Sequence, residues 1–189
     1  EHAAHGDYSA SCPPATSLSS TQRRPQKFLR MIVTIDGPAG AGKSSAARTL
    51  ADRLGFAFLD TGAMYRAVAL AATQRGVDLA DADALAEVAE SIDLALTNRR
   101  IVMDGVDVTD AIRTSKITAQ TRHAADNLAV RRRLTDLQRR FAEDRDVITE
   151  GRDQATIVFP HAEVKIYLTA SEEQRAQRRF LDLRNRGEE

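Results

Sequence analysis

The residues with the clearest chemistry form one short glycine-rich segment, Gly37-Pro38-Ala39-Gly40-Ala41-Gly42-Lys43-Ser44, which matches the phosphate-binding pattern G-x-x-x-x-G-K-[ST]. Glycines let the backbone approach an anion closely, so that successive amide N–H groups point into one concavity and bind phosphate oxygens. Lys43 is expected to reach the β- and γ-phosphates, and the Ser44 hydroxyl is expected to ligate Mg²⁺. The segment therefore predicts a site for a nucleoside triphosphate.

The neighbouring sequence supplies the elements that such a segment needs on either side. The β-branched run 32–35 predicts a buried strand before it, and a helix is expected from about 43 to 54, with Gly55 at its end. The helix N-terminus would add partial positive charge at the phosphates. An acidic residue at a neighbouring strand end is expected to hold the magnesium shell; Glu150 is the natural candidate and Asp36 the alternative.

The phosphate-binding segment alone leaves three classes of protein open, namely a GTPase, an ATPase motor and a small-molecule kinase. The sequence contains no N/T-K-x-D segment that would read guanine, which weakens the GTPase interpretation. With 189 residues the chain is also short for a motor domain.

The remaining pattern predicts an α/β fold with a parallel sheet flanked by helices. Parallel strands are expected at 32–35, 56–59, 147–149 and 164–168, and helices at about 43–54, 63–74, 81–91, 116–144 and from Ser171 onward. Between them, short alternating apolar runs predict antiparallel strands, so we place an inserted β-rich subdomain at about 77–113.

Composition and charge limit the possible partners. Twenty-seven basic and 27 acidic side chains give a net charge of zero, so no basic field indicates nucleic acid or a membrane surface. One cysteine, Cys12, excludes an intramolecular disulfide framework and fits a reducing compartment. No apolar run approaches the roughly 18 residues of a membrane span. Residues 1–30, rich in proline and serine, predict a disordered tail.

Three ordered motifs resemble those of bacterial cytidylate (CMP) kinases. They are Ile35-Asp36-Gly37-Pro38-Ala39-Gly40-Ala41-Gly42-Lys43-Ser44, Leu59-Asp60-Thr61-Gly62-Ala63-Met64-Tyr65-Arg66, and Glu150-Gly151-Arg152-Asp153 with Val158-Phe159-Pro160. The resemblance runs from about 31 to 187 and implies a nucleoside-monophosphate-kinase fold, with a monophosphate-binding insertion and a mobile lid. It also implies the conversion of ATP and CMP or dCMP to ADP and CDP or dCDP, with Mg²⁺.

The resemblance assigns roles to residues at matching positions. It implies that Lys43, Arg152 and Arg178 are catalytic, and that Glu150 holds Mg²⁺ through water together with Ser44. The ATP-binding set it implies is Gly37, Pro38, Ala39, Gly40, Ala41, Gly42, Lys43, Ser44 and Ser45. The CMP-binding set is Thr61, Tyr65, Arg66, Arg131, Arg152 and Asp153. Arg175 and Arg179 match lid-entry arginines beside Arg178 and could touch ATP phosphates, although a basic helix face is the alternative.

The sequence departs from the family pattern in three places. Arg122 stands where a small hydroxyl residue usually contacts cytosine, and Gln154-Ala155 replaces a pair that commonly ends in glycine. The sequence stops at Glu189, before the rest of the lid and a last strand, so we expect these residues alone to be weakly active or inactive. We expect residues 31–189 to form a monomeric cytoplasmic kinase domain; another small P-loop kinase and a nucleotide-binding module without catalysis stay open.

Overall fold

A computed structural model describes residues 30–97, 100–185 and 187. Its main sheet is parallel, with strand order β2-β6-β1-β7. The strands are β1 (Ile32–Asp36), β2 (Ala57–Asp60), β6 (Val147–Gly151) and β7 (Val164–Tyr167). These are the four predicted strands within a few residues, which confirms the fold class. The predicted tail, 1–30, lies outside the described residues except for Arg30.

The register of the parallel strands brings their polar carboxyl ends together. Asp60 of β2 is the partner of Glu150 of β6, and Asp36 of β1 is the partner of Gly151. In open parallel sheets, ligands bind beyond these carboxyl ends. The sheet therefore presents the phosphate-binding segment and the acidic strand ends at one edge.

Six α-helices are described, and two of them pack directly against the strands of this sheet. They are α1 (Lys43–Leu54), α2 (Thr61–Gln74), α3 (Ala82–Ser91), α4 (Ser115–Asp126), α5 (Leu128–Ala142) and α6 (Glu172–Asn185). The prediction of a single helix over 116–144 is wrong, because Asn127 separates two helices there, α4 and α5. Its side chain accepts the N–H groups of Ala129 at 3.0 Å and Val130 at 3.1 Å, which caps α5.

The apolar core lies on both faces of the parallel sheet. α2 supplies much of the larger cluster, with Ala67, Val68 and Ala69 fully buried. From α5, Val130 and Leu134 are also fully buried, and their spacing of four residues places them on one face of the helix. Packing of this kind fixes the helices against the strand ends that carry polar residues.

A small antiparallel sheet occupies part of the predicted insertion. It contains β3 (Leu94–Leu96), β4 (Ile101–Met103) and β5 (Val106–Asp107) in that order. Asp104 and Gly105, with φ values of 50° and 79°, form the tight turn between β4 and β5. None of the described helices is both long and apolar enough to cross a membrane.

Candidate active site

The phosphate-binding segment leaves β1 and enters α1 as predicted, and its backbone conformation requires glycine. Gly37 and Gly42 have φ values of 146° and 93°. A Cβ atom on Gly37 would lie 2.0 Å from the carbonyl oxygen of Leu168, so no side chain fits there. Gly42 is the N-cap of α1 and has no side chain to occupy the first amide groups of the helix. These N–H groups can therefore receive an anion.

Lys43 is half-buried and spans the loop. Its Nζ atom donates to the Pro38 carbonyl oxygen at 3.0 Å. Burial lowers the pKa of Lys43, the Glu150 carboxylate opposes this shift, and the Arg152 guanidinium adds to it. Lys43 is therefore close enough to Glu150 and Arg152 for their charges to act on it, where the loop lies next to the end of β6.

Glu150 lies at the end of β6 and is only 6% exposed. The Ser44 hydroxyl donates to its Oε1 atom, which joins the phosphate-binding loop to the strand end. Burial and, second, the nearby Asp60 carboxylate raise the pKa of Glu150, while Ser44 and Lys43 oppose this shift. A hydroxyl next to a carboxylate is a set of hard oxygen donors, which suits Mg²⁺.

Asp36, the alternative magnesium residue, has a different role in the structure. Its Oδ1 atom accepts the backbone N–H of Gln154 at 3.0 Å, and its Oδ2 atom accepts that of Ala155 at 2.8 Å. Both oxygens therefore hold the start of the π-helical turn Gln154–Val158. Asp36 is therefore engaged in a structural contact, and the role of Glu150 as the magnesium residue stays a prediction.

Across the sheet edge, Asp60 organises two arginines. It caps α2 by accepting the Ala63 N–H at 2.8 Å. Its Oδ2 atom lies 3.3 Å from Arg66 Nη2 and 3.8 Å from Arg113 Nη2. Arg66 Nε is buried and has no hydrogen-bond partner within the described residues. Asp60 thus lies next to two guanidinium groups, and such groups match phosphate oxygens in a bidentate manner.

Asp60 and Arg113 are not among the site residues predicted from the sequence. Asp60 carries the same signal that identified Glu150, because it is an acidic residue at the carboxyl end of a predicted strand. Arg113 ends the short 3-10 helix Ala111–Arg113, and no local pattern marks it. Only the packing of the insertion against α2 brings it to the site.

Thr61 has a structural contact instead of an open hydroxyl. The side chain is 3% exposed and donates to the backbone carbonyl oxygen of Glu150 at 2.7 Å. The bond joins the first turn of α2 to the end of β6. A direct contact between Thr61 and substrate stays a prediction.

Three of the predicted CMP-binding residues lie together. Arg131 Nη2 donates to Asp153 Oδ2, and Arg131 Nη1 donates to the Ala125 carbonyl oxygen at 3.2 Å. Burial raises the pKa of Tyr65, and the Arg131 guanidinium and Asp153 carboxylate both act on it electrostatically. Arg152, immediately before Asp153, is exposed. The chain from Glu150 to Asp153 thus runs from the phosphate-binding loop to the Arg131 cluster.

One arginine of α6, Arg178, donates hydrogen bonds to the phosphate-binding loop. Arg178 Nη1 donates to the carbonyl oxygens of Gly40 at 3.2 Å and Ala41 at 2.9 Å. Arg175 lies 3.6 Å from the Glu172 carboxylate in its own helix, and Arg179 is exposed. Arg178 therefore contacts the loop through its carbonyl groups, and a contact with phosphate stays a prediction.

Parallel strands that end at a glycine-rich phosphate loop, with arginines gathered across the same edge, define a P-loop kinase of the nucleoside monophosphate type. A family model described as cytidylate kinase matches residues 33–189. The chain belongs to the cytidylate kinase family.

Individual relatives agree with this assignment. The cytidylate kinase of Rhodopirellula baltica is 52% identical over 157 residues, which cover 83% of this chain and 69% of the relative. The cytidylate kinase of Pelotomaculum thermopropionicum is 51% identical over 160 residues, covering 82% and 71%. A bifunctional pantoate ligase/cytidylate kinase of a Synechococcus species is 43% identical over 183 residues, covering 93% and 33%.

Proposed function

We propose that the protein transfers the γ-phosphoryl group of ATP to CMP or dCMP, giving ADP and CDP or dCDP. Membership of the cytidylate kinase family supports this reaction. The path of the chain at the end of β6 supports the assignment of an ATP site and a CMP site. Glu150 contacts Ser44 in the phosphate-binding loop, and three residues later Asp153 contacts Arg131. Donor and acceptor sites are therefore adjacent.

On the donor side, the loop amides and the N-terminus of α1 bind the phosphates of ATP, and Lys43 approaches the β- and γ-phosphates. Lys43 must exchange its bond with the Pro38 carbonyl for one with phosphate. Ser44 and Glu150 would hold Mg²⁺, with Glu150 acting through water. When bound, this ion neutralises charge on the phosphate oxygens.

No cluster of three or more histidine, cysteine or acidic residues is arranged for a metal within residues 30–97, 100–185 and 187. The protein itself thus offers few ligands to a divalent ion at this site. This fits Mg²⁺ that arrives with the nucleotide, since Mg²⁺ is usually bound by one or two carboxylates together with substrate phosphates.

On the acceptor side, Arg66 and Arg152 bind the phosphate of CMP, because guanidinium groups match phosphate oxygens in a bidentate manner. Asp153 accepts a hydrogen bond from the exocyclic amine of cytosine, a contact that carboxylates also make with this base in DNA. Arg131 holds the carboxylate of Asp153 in place. Tyr65 packs against the larger apolar cluster, close enough to this pair for both charges to act on its hydroxyl.

The reaction needs little covalent chemistry from the protein. A phosphate oxygen of CMP forms a bond to the γ-phosphorus of ATP while the bond from that phosphorus to the β-phosphate oxygen breaks, and ADP leaves. Lys43, Arg152 and Arg178 would neutralise the charge that spreads over the transferred group. For Arg178 this requires its guanidinium to leave the carbonyl oxygens of Gly40 and Ala41. We further propose a cytoplasmic monomer that binds free nucleotides.

The test is a coupled assay of ADP release with CMP, dCMP, UMP and AMP as acceptors, run long enough to detect slow turnover. We expect ADP release that depends on CMP or dCMP. Release with AMP or a non-nucleotide acceptor, and none with CMP, would identify another small P-loop kinase. Binding of Mg-ATP without transfer to any acceptor, even in a chain extended through the rest of the lid and the last strand, would indicate a nucleotide-binding module.

A further inference from the structure

Gln154 carries a side-chain amide that is buried directly beside the acceptor site. The residue is 1% exposed and begins the π-helical turn that follows Asp153. Thr149 Oγ1 donates to Gln154 Oε1 at 2.8 Å. Gln154 Nε2 donates to Gln138 Oε1 at 3.1 Å and to Asp153 Oδ1 at 3.4 Å. Every polar atom of this side chain therefore has a partner.

The orientation of this amide is fixed by the chemistry of its partners. A carboxylate only accepts hydrogen bonds, so the amide nitrogen must face Asp153 and the amide oxygen must face the Thr149 hydroxyl. Gln138 is also 1% exposed, and its Nε2 atom has no partner within the described residues. A buried donor without a partner costs stability, so an apolar pair would suit packing alone at least as well.

Helix α5 holds both oxygens of the Asp153 carboxylate. Arg131 contacts Oδ2 directly, and Gln138 reaches Oδ1 through Gln154. Arg131 and Gln138 are seven residues apart, about two helical turns, and so lie on the same face of α5. Each carboxylate oxygen keeps a further lone pair, which leaves room for a bond to a ligand.

We propose that Gln154 is a positioning residue that orients the Asp153 carboxylate before the nucleotide binds, and that it thereby sets selectivity for a base with an exocyclic amine. The inference rests on the proposed function, in which Asp153 accepts from the cytosine amine. A carboxylate that is already held pays less conformational entropy on binding. It also presents an acceptor, which disfavours a base with a carbonyl oxygen at that position.

The experiment compares Gln154→Met with Gln138→Met by calorimetric titration of CMP, UMP and Mg-ATP into the full chain. Both variants delete one amide of the same buried network at similar volume, but only Gln154→Met removes a contact with Asp153. We expect Gln154→Met to weaken CMP binding roughly three- to tenfold, the scale of one immobilised side chain. Its Mg-ATP affinity should stay unchanged and its ratio of CMP to UMP affinity should fall. Gln138→Met should weaken CMP binding less than Gln154→Met does, because Gln154 keeps its hydrogen bonds with Thr149 and Asp153.

A merely structural role would lower the thermal midpoint of both variants without changing the ratio of CMP to UMP affinity. Equal loss of CMP and Mg-ATP binding, or equal effects of both variants on CMP, would overturn the assignment of Gln154. If Gln154→Met does not fold, Thr149→Val releases the same amide at its oxygen, and an unchanged CMP affinity would overturn the assignment. If the wild-type chain does not bind CMP, the proposed function is overturned together with this inference.

Discussion

Asp36 and Gln154 lie 118 residues apart in the chain, and the Oδ1 atom of Asp36 accepts the backbone N–H of Gln154 at 3.0 Å. The second oxygen accepts the next amide, that of Ala155, at 2.8 Å. Asp36 directly precedes Gly37, so one carboxylate connects the start of the phosphate-binding loop to the turn that follows Asp153. The contact between Asp36 and the backbone amides of Gln154 and Ala155 therefore fixes the position of the ATP-side residues relative to the CMP-side residues, without any ligand.

This connection predicts the effect of Asp36→Asn. An asparagine offers one acceptor and turns an NH₂ group toward an amide N–H, which leaves a buried donor unpaired. We expect a loss of about 1–3 kcal/mol in the free energy of unfolding, measured with urea. The loss should be the same with and without Mg²⁺.

Asp146→Asn is the matched control for this change. Asp146 also accepts a backbone amide, that of Met31 at 2.8 Å, but it is exposed. Its substitution should cost less than about 0.5 kcal/mol. A normal stability of Asp36→Asn combined with an altered Mg²⁺ dependence of ATP binding would instead make Asp36 a metal residue.

The raised pKa of Glu150 predicts a pH dependence of stability. Burial and the Asp60 charge raise this pKa above its usual 4.5. Between 4.5 and the raised pKa, the folded state holds a proton that the unfolded state has already released. Stability therefore falls as the pH rises through this interval, and the loss is complete above the raised pKa.

Glu150→Gln should remove this slope and stabilise the protein near neutral pH. The measurement is urea unfolding from pH 4.5 to about 7 without nucleotide or Mg²⁺. The exposed Glu87→Gln is the control, and its curve should stay parallel to that of the wild type. Parallel curves for Glu150→Gln and the wild type would contradict the raised pKa.

Local patterns in the sequence predicted the parts of the site that lie within one strand, loop or helix. The loop 37–44, the strand before it and Glu150 at the end of β6 follow from glycine spacing and apolar runs, and the structure places them together. Contacts between distant segments have no such signal. Asp36 meets Gln154 only when the end of β1 lies next to the turn that follows β6. Arg113 approaches Asp60 only when the insertion packs against the rest of the domain.

Helix α5 shows the same division. Its apolar stripe was predictable, because apolar side chains recur with the helical period. Arg139 of the same helix is exposed, and its guanidinium donates to the carbonyl oxygens of Val158 at 3.0 Å and Ile157 at 2.9 Å. Those carbonyl groups belong to the π-helical turn Gln154–Val158. The spacing of residues in α5 does not predict that this turn packs against the helix.

Arg66→Ala should weaken the binding of any monophosphate, because contacts with phosphate are independent of the base. The Nε atom of Arg66 is buried without a partner in the described part of the chain, and Asp60 orients its Nη2 atom. We expect kcat/KM for CMP, dCMP and UMP to fall by a similar factor, about a hundredfold. The KM for ATP should change little.

Arg75→Ala is the control for Arg66→Ala. Arg75 also pairs with an aspartate, Asp104 at 3.4 Å, but it lies at the opposite end of α2. Its substitution should leave the kinetic constants for all three acceptors unchanged. A loss for CMP alone in Arg66→Ala would show that Arg66 reads the base and does not bind phosphate.

Lys43→Met tests the role of the phosphate-binding loop, and Lys165→Met is its control, because both lysines donate to a proline carbonyl oxygen. Lys43 donates to the Pro38 carbonyl oxygen at 3.0 Å, and Lys165 donates to the Pro160 carbonyl oxygen at 2.6 Å. Each substitution deletes one ammonium-to-carbonyl hydrogen bond, but burial disfavours the charged form of Lys43 and Lys165 is exposed, so neither variant should lose more than about 1 kcal/mol in the free energy of unfolding. Only Lys43→Met should lower kcat/KM for ATP, by about a hundredfold or more, since only this ammonium group can reach the transferred phosphate. Equal loss of ATP turnover in Lys43→Met and Lys165→Met would show that the lysine of the loop acts through stability alone.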